Sequence, residues 1–256
     1  MSDRAGPCDG LIEEARQIIG AAKSITVFSG AGISTDSGIP DFRGPNGVWT
    51  KNPEAEKVST LSHYLNDPEI RQIAWRNRLA SPAWAAVPND GHRAIFALEQ
   101  RGVLVAVITQ NIDGLHQHVG HLPENVLEMH GTMRFSICWS CGDRRGMQAT
   151  LQRVREGDSD PACELCGGIL KSDTISFGQA LVPEVVERAM AASEDCDVLL
   201  AVGSSLTVRP AANVVPRAKA MGAKVVIVNG EPTAMDHYSD VVLVGELSEL
   251  LPRIVG

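Results

Sequence analysis

Nowhere in its 256 residues does this chain hold an apolar run approaching the ~18 residues a membrane-spanning helix needs, and the opening MSDRAGPCDG has no apolar signal core. The expectation from these two absences is a soluble, intracellular protein of the cytoplasm with no membrane partner. Basic charge is also scarce: 23 Lys and Arg stand against 31 Asp and Glu, a formal net charge of -8. That balance argues against a general binder of nucleic-acid backbones, which would carry clustered cations, and tolerates basic partners such as lysine-bearing peptides. No Ser-His-Asp order, Walker lysine or H-E-x-x-H appears, so hydrolase and kinase readings lack their nucleophile or their phosphate lysine. Internal repeats and low-complexity stretches are missing too. With 44% hydrophobic and 21% charged residues, the chain suits one large domain, alone or with a small insert.

What is present is a regular alternation. Leu11, Ile12, Ala15, Ile18 and Ile19 recur at helical spacing and predict an amphipathic helix over 11–23, ahead of the apolar run Ile25-Thr26-Val27-Phe28. Ala94 to Gln100 reads as a helix, Val103 to Ile108 as a strand, and Val126 to Met129 as a shorter strand ending at His130. Further on, Pro183 opens a helix through Ser193. Asp197 to Val202 reads as a strand, Ala211 to Met221 as a helix despite Pro216, Lys224 to Val228 and Asp240 to Val244 as strands, and a short helix follows Glu246. Near-continuous Val, Ile and Leu strands between helices predict a doubly wound α/β fold with a parallel sheet covered on both faces. Ligands of such sheets bind beyond the carboxyl ends of the strands. The polar runs fall at those ends: Gly30 onward, Thr109 to Asp113, His130-Gly131, Gly203-Ser204-Ser205 and Asn229-Gly230-Glu231. Five loops are expected to converge on one crevice. The proline-punctuated stretch 50–89, helical around Ile70 to Leu79, is expected to pack over it as a mobile element.

The run GAGISTDSGIPDFRG, Gly30 to Gly44, follows the first strand directly. A strand that empties into Gly-Ala-Gly brings backbone N–H groups close to a phosphate, because glycine has no side chain to hold the ligand off. The spacing is G-x-G-x5-G as far as Gly38, not the G-x-G-x-x-G of dinucleotide-binding dehydrogenases, and Pro40 stops a helix from running through. A polar loop is therefore expected, with Asp41, Phe42 and Arg43 beside a phosphate cradle. The plain alternative is a glycine-rich surface loop.

Four of six cysteines fall in two C-x-x-C pairs, Cys138/Cys141 and Cys163/Cys166, separated by the 21 residues 142 to 162. Four thiolates leave no open coordination position, so the pattern predicts a structural zinc ribbon in a module too short for a core of its own. Arg144, Arg145, Arg153 and Arg155 in this insert are offset by Asp143, Glu156, Asp158, Asp160 and Glu164, a solvated face rather than a nucleic-acid surface. Cys196 reads as a small buried thiol and Cys8 as part of a frayed terminus.

His116, His118 and His121 read as helix-surface or capping residues. His130, at a strand end and before Gly131, reads as a base able to take a proton from a sugar hydroxyl, with a core histidine as the alternative. Asn111 and Asp113 place a carboxamide and a carboxylate at the end of the Val103 strand. They suit an amide-bearing ligand such as nicotinamide, with Gln110 toward ribose hydroxyls or a water, although Asn-x-Asp-Gly is also an ordinary turn.

Taken together, GAGISTDSGIPDFRG with Gly47-Val48-Trp49, TQNIDGLH, His130-Gly131, the two C-x-x-C pairs, Phe177-Gly178, GSSL and VN occur in the order seen in one family. From about Ile12 to the C-terminus the chain resembles the sirtuin family of NAD-dependent protein-lysine deacylases and, by its short termini, a compact bacterial-type member. The resemblance implies a Rossmann-like domain over 9–131 and 173–256 with a zinc-ribbon small domain, 132–172, inserted; part of 50–90 would serve as cofactor and substrate loop. It implies NAD in the cleft between them, touched by Gly30, Ala31, Gly32, Ser34, Thr35, Asp41, Phe42, Arg43, Trp49, Gln110, Ile112, Gly203, Ser204, Ser205, Asn229, Gly230, Glu231 and Leu247. Asn111 and Asp113 would line the nicotinamide pocket and take part in catalysis with His130 as general base.

On this resemblance the acyl-lysine oxygen attacks the ribose carbon that bears nicotinamide, His130 deprotonates a ribose hydroxyl, and the acyl group passes to the sugar. The products would be free lysine, nicotinamide and O-acyl-ADP-ribose. A substrate peptide would add as a strand between Ser176 to Gln179 and the loop after Val208, so Phe177, Gly178, Gln179 and Val208 are substrate residues. Two positions depart from the usual pattern: Ser204 stands where threonine is common, and Gln179 where glutamate is frequent. Members that remove acidic acyl groups carry Tyr-x-x-Arg on the helix of the 50–90 stretch; here Trp75 and Arg78 take those places, which predicts acetyl-lysine as the better substrate with residual activity on acidic acyls. The resemblance leaves a monomer or weak oligomer, with mono-ADP-ribosyl transfer or a non-catalytic NAD-sensing module as the alternative functions.

Overall fold

The structure, a computed structural model, describes residues 9–41, 47 and 55–256. In chain order its strands are β1 Ile25–Ser29, β2 Leu104–Thr109, β3 Val126–Glu128, β4 Gly131–Cys138, β5 Arg144–Gly146, β6 Leu170–Thr174, β7 Val198–Val202, β8 Lys224–Asn229 and β9 Val241–Val244. Among the described residues, six strands form one sheet in the order β3-β2-β1-β7-β8-β9, with every neighbouring pair parallel. The chain winds outward from β1 in both directions, so the crevice at the carboxyl ends opens beside β1, as expected for a doubly wound sheet.

Successive strand residues point to opposite faces, and the two faces bury separate cores. Val27, Leu200 and Val226 pack with Ile12, Ile19, Ile95, Leu98, Leu250 and Ile254 from the helices Asp9–Ala21, Asp90–Gln100 and Leu247–Val255. Their neighbours Phe28, Leu199 and Ile227 pack on the other face with Ala189, Ala192, Val214 and Val215 from the helices Pro183–Glu194 and Val214–Ala220. Fully burying each such Leu, Ile or Phe contributes about 1.5–3 kcal/mol, which is why β7 is apolar throughout, while β1 keeps the buried hydroxyls of Thr26 and Ser29.

A second, antiparallel sheet has the order β5-β4-β6 and begins as β4 leaves the end of β3. With the helix Met147–Arg155 it encloses a small apolar cluster: Cys138, Met147, Leu151, Cys163 and Leu170, completed by Trp75 from the helix Pro68–Leu79. Two polar contacts lock that helical stretch to the small sheet: Arg71 pairs with Asp160 at 2.8 Å and Tyr64 Oη donates to the Leu170 carbonyl at 2.7 Å.

Three local expectations are corrected. The segment after Gly30 is a 3-10 helix, Ala31–Ser37, rather than an open polar loop. The helix ending at Gln100 starts at Asp90, because Asn89 caps it and His92 returns the bond to the Asn89 N–H. The region 211–221 divides into a 3-10 turn, Ala211–Asn213, and the helix Val214–Ala220, which places Pro216 in the first turn, where its missing N–H has no helical partner to lose.

Candidate active site

Backbone and side-chain hydrogen bonds knit the strand ends together. Gly30 N–H donates to Val202 O at 3.0 Å, Gly32 N–H to Gly203 O at 2.8 Å, Gln110 N–H to Ser29 O at 2.9 Å, and Gly203 N–H to Val228 O at 3.0 Å. The loop contact is so close that only glycine fits at position 203. Its φ is +62°, and a Cβ there would lie 2.4 Å from the Ile33 nitrogen.

Within this frame Asn111 and Asp113 are 8% and 5% exposed. Asn111 Nδ2 donates to Gly30 O at 3.0 Å and to Ser34 Oγ at 3.2 Å, and Ser34 Oγ donates to Asp113 Oδ2 at 2.8 Å. The other oxygen of Asp113 accepts from the Leu115 N–H at 2.9 Å. Burial pushes the Asp113 carboxyl above its ordinary pKa, partly opposed by the Leu115 and Ser34 bonds and by Arg134. Arg134 contributes twice over: its Nε and Nη2 grip the Asp113 carbonyl at 3.0 and 2.6 Å. Sequence reading missed this residue, since it sits in β4 and nothing in its local pattern marks it.

His130 follows β3, and its Nδ1 lies 3.0 Å from the Gln110 carbonyl. A carbonyl only accepts, so Nδ1 carries the proton and Nε2 is left with a free lone pair in the neutral ring. Burial holds the His130 pKa below its ordinary value, with the Gln110 bond opposing. Gln110 Nε2 donates to Ser204 Oγ at 2.8 Å, which also accepts from the Leu206 N–H at 3.2 Å. Both acceptor sites of Ser204 are thus occupied, and what it can offer a ligand is its proton. Leu206 is held in the left-handed region, φ +57°, while 1% exposed.

The remaining predicted ligand residues are dispersed around this centre. Thr35 Oγ1 turns back to Gly32 O at 2.9 Å, Ser205 Oγ meets Thr207 Oγ1 at 2.9 Å, and Asn229 Nδ2 donates to Glu231 O at 2.8 Å. Ala31 and Ile112 are half-buried, and Ile112 O accepts from Met133 N–H at 2.9 Å. Gly230 and Glu231 are exposed. Leu247 packs its side chain in the apolar core, leaving its main chain as the part a ligand could meet. Asp41 is half-buried. Phe42, Arg43 and Trp49 lie outside the described residues.

Phe177 pairs with the chain itself: its N–H donates to Ser59 O at 2.8 Å and its carbonyl accepts from Leu61 N–H at 2.9 Å. Gln179 closes a tight turn, with its N–H on Ser176 O at 2.9 Å and its Oε1 accepting from Ser176 N–H at 3.3 Å. Gly178 is exposed, and the Val208 carbonyl accepts from Ala212 N–H at 2.9 Å. Trp75 is 2% exposed in the core of the small sheet, and its Nε1 has no hydrogen-bond partner. Arg78 is half-buried near the small sheet.

Cys138, Cys141, Cys163 and Cys166 place their sulfurs within 4.8 Å of one another, with Cys138 to Cys166 at 3.5 Å and Cys141 to Cys163 at 3.7 Å. Tetrahedral zinc with Zn–S bonds of about 2.3 Å needs sulfurs about 3.8 Å apart, and the two closest-set pairs lie near that spacing, so the four thiolates suit that ion. The three clustered histidines divide otherwise than expected. His118 is exposed, but His116 and His121 are 1% and 3% exposed, and the His116 ring meets His92 tilted and His121 edge-on in the interior.

A Rossmann-type sheet carrying this Asn-Asp-His constellation, bordered by a four-cysteine module, agrees with the comparison to known proteins: the profile of the Sir2 family matches residues 30–210. The chain belongs to the Sir2 family. It is 49% identical over 231 residues to the NAD-dependent protein deacetylase 2 of Streptomyces coelicolor, spanning 90% of this chain and 96% of that one. It is 41% identical over 265 residues to the NAD-dependent protein deacylase of Desulfosudis oleivorans, spanning 96% and 95%. Among solved structures, a Sir2 enzyme superposes with a TM-score of 0.88 at 38% identity, over 97% of both chains. A Sir2–p53 peptide–NAD+ complex superposes with 0.85 at 30% identity, over 95% and 96%. As a Sir2 protein, the chain carries the sheet, the four-cysteine site and the strand-end loops as one ordered set.

Proposed function

We propose that this protein removes acyl groups, acetyl first, from lysine side chains of proteins or peptides, with NAD as co-substrate and a structural zinc ion. The observation that carries the reading is His130: with its Nδ1 proton fixed on the carbonyl of Gln110, the residue just before the buried Asn111, and burial favouring the neutral ring, Nε2 is left as a base.

The donor set suits the cofactor. With the Gly30 and Gly32 N–H groups held by Val202 O and Gly203 O, the Gly30-Ala31-Gly32 turn offers the phosphates its tight shape rather than those two donors; Ser204 offers a proton and Gln110 a carboxamide oxygen toward ribose hydroxyls, and Asp113 with Asn111 faces the carboxamide of nicotinamide. NAD, when bound, would supply an electrophilic ribose carbon with nicotinamide as its leaving group and a ribose hydroxyl to receive the acyl group, with one water consumed as the lysine amine is released. His130 takes a proton from a ribose hydroxyl at Nε2. Asn111 and Ser34 fix the buried Asp113 carboxylate by hydrogen bonds. Zinc held by Cys138, Cys141, Cys163 and Cys166 stabilises the small domain, 132–172, and takes no part in the chemistry.

The peptide adds as a strand beside Ser176 to Gln179. Phe177 has its main-chain groups turned to Ser59 and Leu61, so the peptide uses the opposite edge, toward the loop after Val208. Trp75 is packed into the small-sheet core, which leaves Arg78 without the hydroxyl partner an acidic acyl group would use; acetyl-lysine is the preferred substrate. The protein works in the reducing cytoplasm, where unpaired thiolates remain available for the metal, as a monomer or weak oligomer.

A panel of acetyl-, succinyl- and long-acyl-lysine peptides incubated with NAD and read by mass spectrometry tests this. Acetyl-peptide should yield free lysine, nicotinamide and O-acetyl-ADP-ribose, and His130→Ala should lose at least about 100-fold in turnover while still binding NAD. Faster loss of succinyl than of acetyl, or full activity in His130→Ala, contradicts the reading.

A further inference from the structure

Thr109, the last residue of β2, carries two hydrogen bonds on one oxygen. Its Oγ1 accepts from Ser29 Oγ at 2.9 Å and from the main-chain N–H of Asn111 at 3.0 Å. The Ser29 hydroxyl proton is therefore committed to Thr109. His116 Nε2 lies 2.9 Å from that same Ser29 oxygen, which has no second proton to give, so the imidazole is the donor. A single chain results: His116 Nε2–H to Ser29, Ser29 to Thr109, and Thr109 holding Asn111. All four residues are buried.

The rest of the imidazole makes this bond more informative. His116 is 1% exposed and its Nδ1 has no partner, between the rings of His92 at 5.2 Å and His121 at 5.7 Å. A buried ring nitrogen without a partner is unfavourable, and an apolar side chain would fill the same space without that cost. What histidine alone adds here is the Nε2–H aimed at Ser29.

We infer, on the deacylase reading above, that His116, Ser29 and Thr109 form a buried positioning chain that sets Asn111 in the nicotinamide pocket. None of the three touches substrate. Their work is to fix the backbone of Asn111, whose side chain then reaches Gly30 O and Ser34 Oγ.

The test uses the zinc-loaded full chain. Ser29→Ala and His116→Leu break the chain, whereas His116→Gln keeps an N–H donor near the position of Nε2. Expected are a fall in kcat of about tenfold or more for the first two, a KM for NAD within about twofold of the parent, and recovery of most of the kcat by His116→Gln. A residue that only packs would lower thermal stability without this split between kcat and KM. Should His116→Leu fail to fold, Ser29→Ala and Thr109→Val carry the same comparison.

Two spectra read the chain independently of turnover. Imidazole 15N shifts should show His116 as the Nε2–H tautomer, and Ser29→Ala should move the amide resonance of Asn111, far along the sequence. Parent-like kcat in Ser29→Ala, an Nδ1–H tautomer at His116, or an unmoved Asn111 resonance would overturn the inference. A parent that acts on no acyl-peptide would instead sink the deacylase reading, and the two spectra would still decide the chain.

Discussion

Ser34 Oγ donates to Asp113 Oδ2 at 2.8 Å, joining the 3-10 helix after β1 to the loop after β2 across 79 residues of sequence. Both side chains are buried, at 1% and 5% exposure, so the bond forms in a place where a carboxylate is poorly solvated.

That environment sets a stability cost on Asp113. Burial raises its folded pKa, so the folded state loses stability as pH climbs from the unfolded value, near 3.9, through the raised one. At neutral pH Asp113→Asn removes the buried charge and keeps a group that can bond Ser34 and Leu115. The expected result is a melting temperature equal to or above the parent's, with turnover on acetyl-peptide lower by at least about 100-fold. A melt and a steady-state assay on the same preparation check both halves.

The buried histidines give the opposite slope. Burial lowers the pKa of His92 to about 4, aided by His121 and Arg93, and lowers those of His116, His121 and His130 as well. The unfolded chain takes up these protons near pH 6.5, where the folded chain refuses them, so stability is complete above about 6.5 and falls as pH drops below it. Each such histidine contributes up to about 1.4 kcal/mol per pH unit in that window. Asp113 and Glu128, whose pKa values burial raises, work the other way and blunt the fall. Thermal melts from pH 8 to 5 should show the midpoint declining from near 6.5 downward, with a shallower slope in His92→Gln. A flat profile would contradict neutral buried imidazoles.

Removing the metal should melt the small domain first. Its apolar cluster comprises six buried residues, two of them metal-facing cysteines, too few to hold the sheet alone. Elemental analysis should find one zinc per chain in the parent and none in Cys141→Ser, and a strong chelator should lower the melting temperature of the parent alone.

Gly131 separates a steric requirement from a propensity. Its φ is +69°, and a Cβ would fall 2.2 Å from the Asp173 carbonyl oxygen in β6, so Gly131→Ala must displace the strand that follows His130. Loss of folding or of nearly all turnover is expected. Gly20, by contrast, lies exposed in the helix Asp9–Ala21 with nothing within 4 Å of a built Cβ, and Gly20→Ala should stabilise by about 0.5–1 kcal/mol. Denaturant melts of the two variants compare them directly.

Strand positions and the loops at their ends were legible because a buried parallel strand is apolar at most positions, and the polar runs begin where that demand stops. Ile25 to Phe28, Val103 to Ile108 and Asp197 to Val202 follow this rule closely. Helix starts were less legible. The bond from His92 back to the Asn89 N–H is a side-chain cap that hydrophobic periodicity does not register. The histidines misled for a related reason: His116 and His121 lie in a stretch as polar as any surface, yet Ser29 and Glu99, from other elements, supply the partners that let them be buried.

By itself the sequence determined the doubly wound sheet and the four-thiolate site, since each follows from local composition or short spacing, and it placed Asn111, Asp113 and His130 at strand ends. Only the tertiary structure decided which nitrogen of His130 carries the proton, that Arg134 grips the Asp113 carbonyl, that Trp75 belongs to the small-sheet core, and that His116 bonds Ser29. Those depend on hydrogen bonds and packing between residues distant in the chain, and the direction of a hydrogen bond is fixed by its partner rather than by its neighbours in sequence.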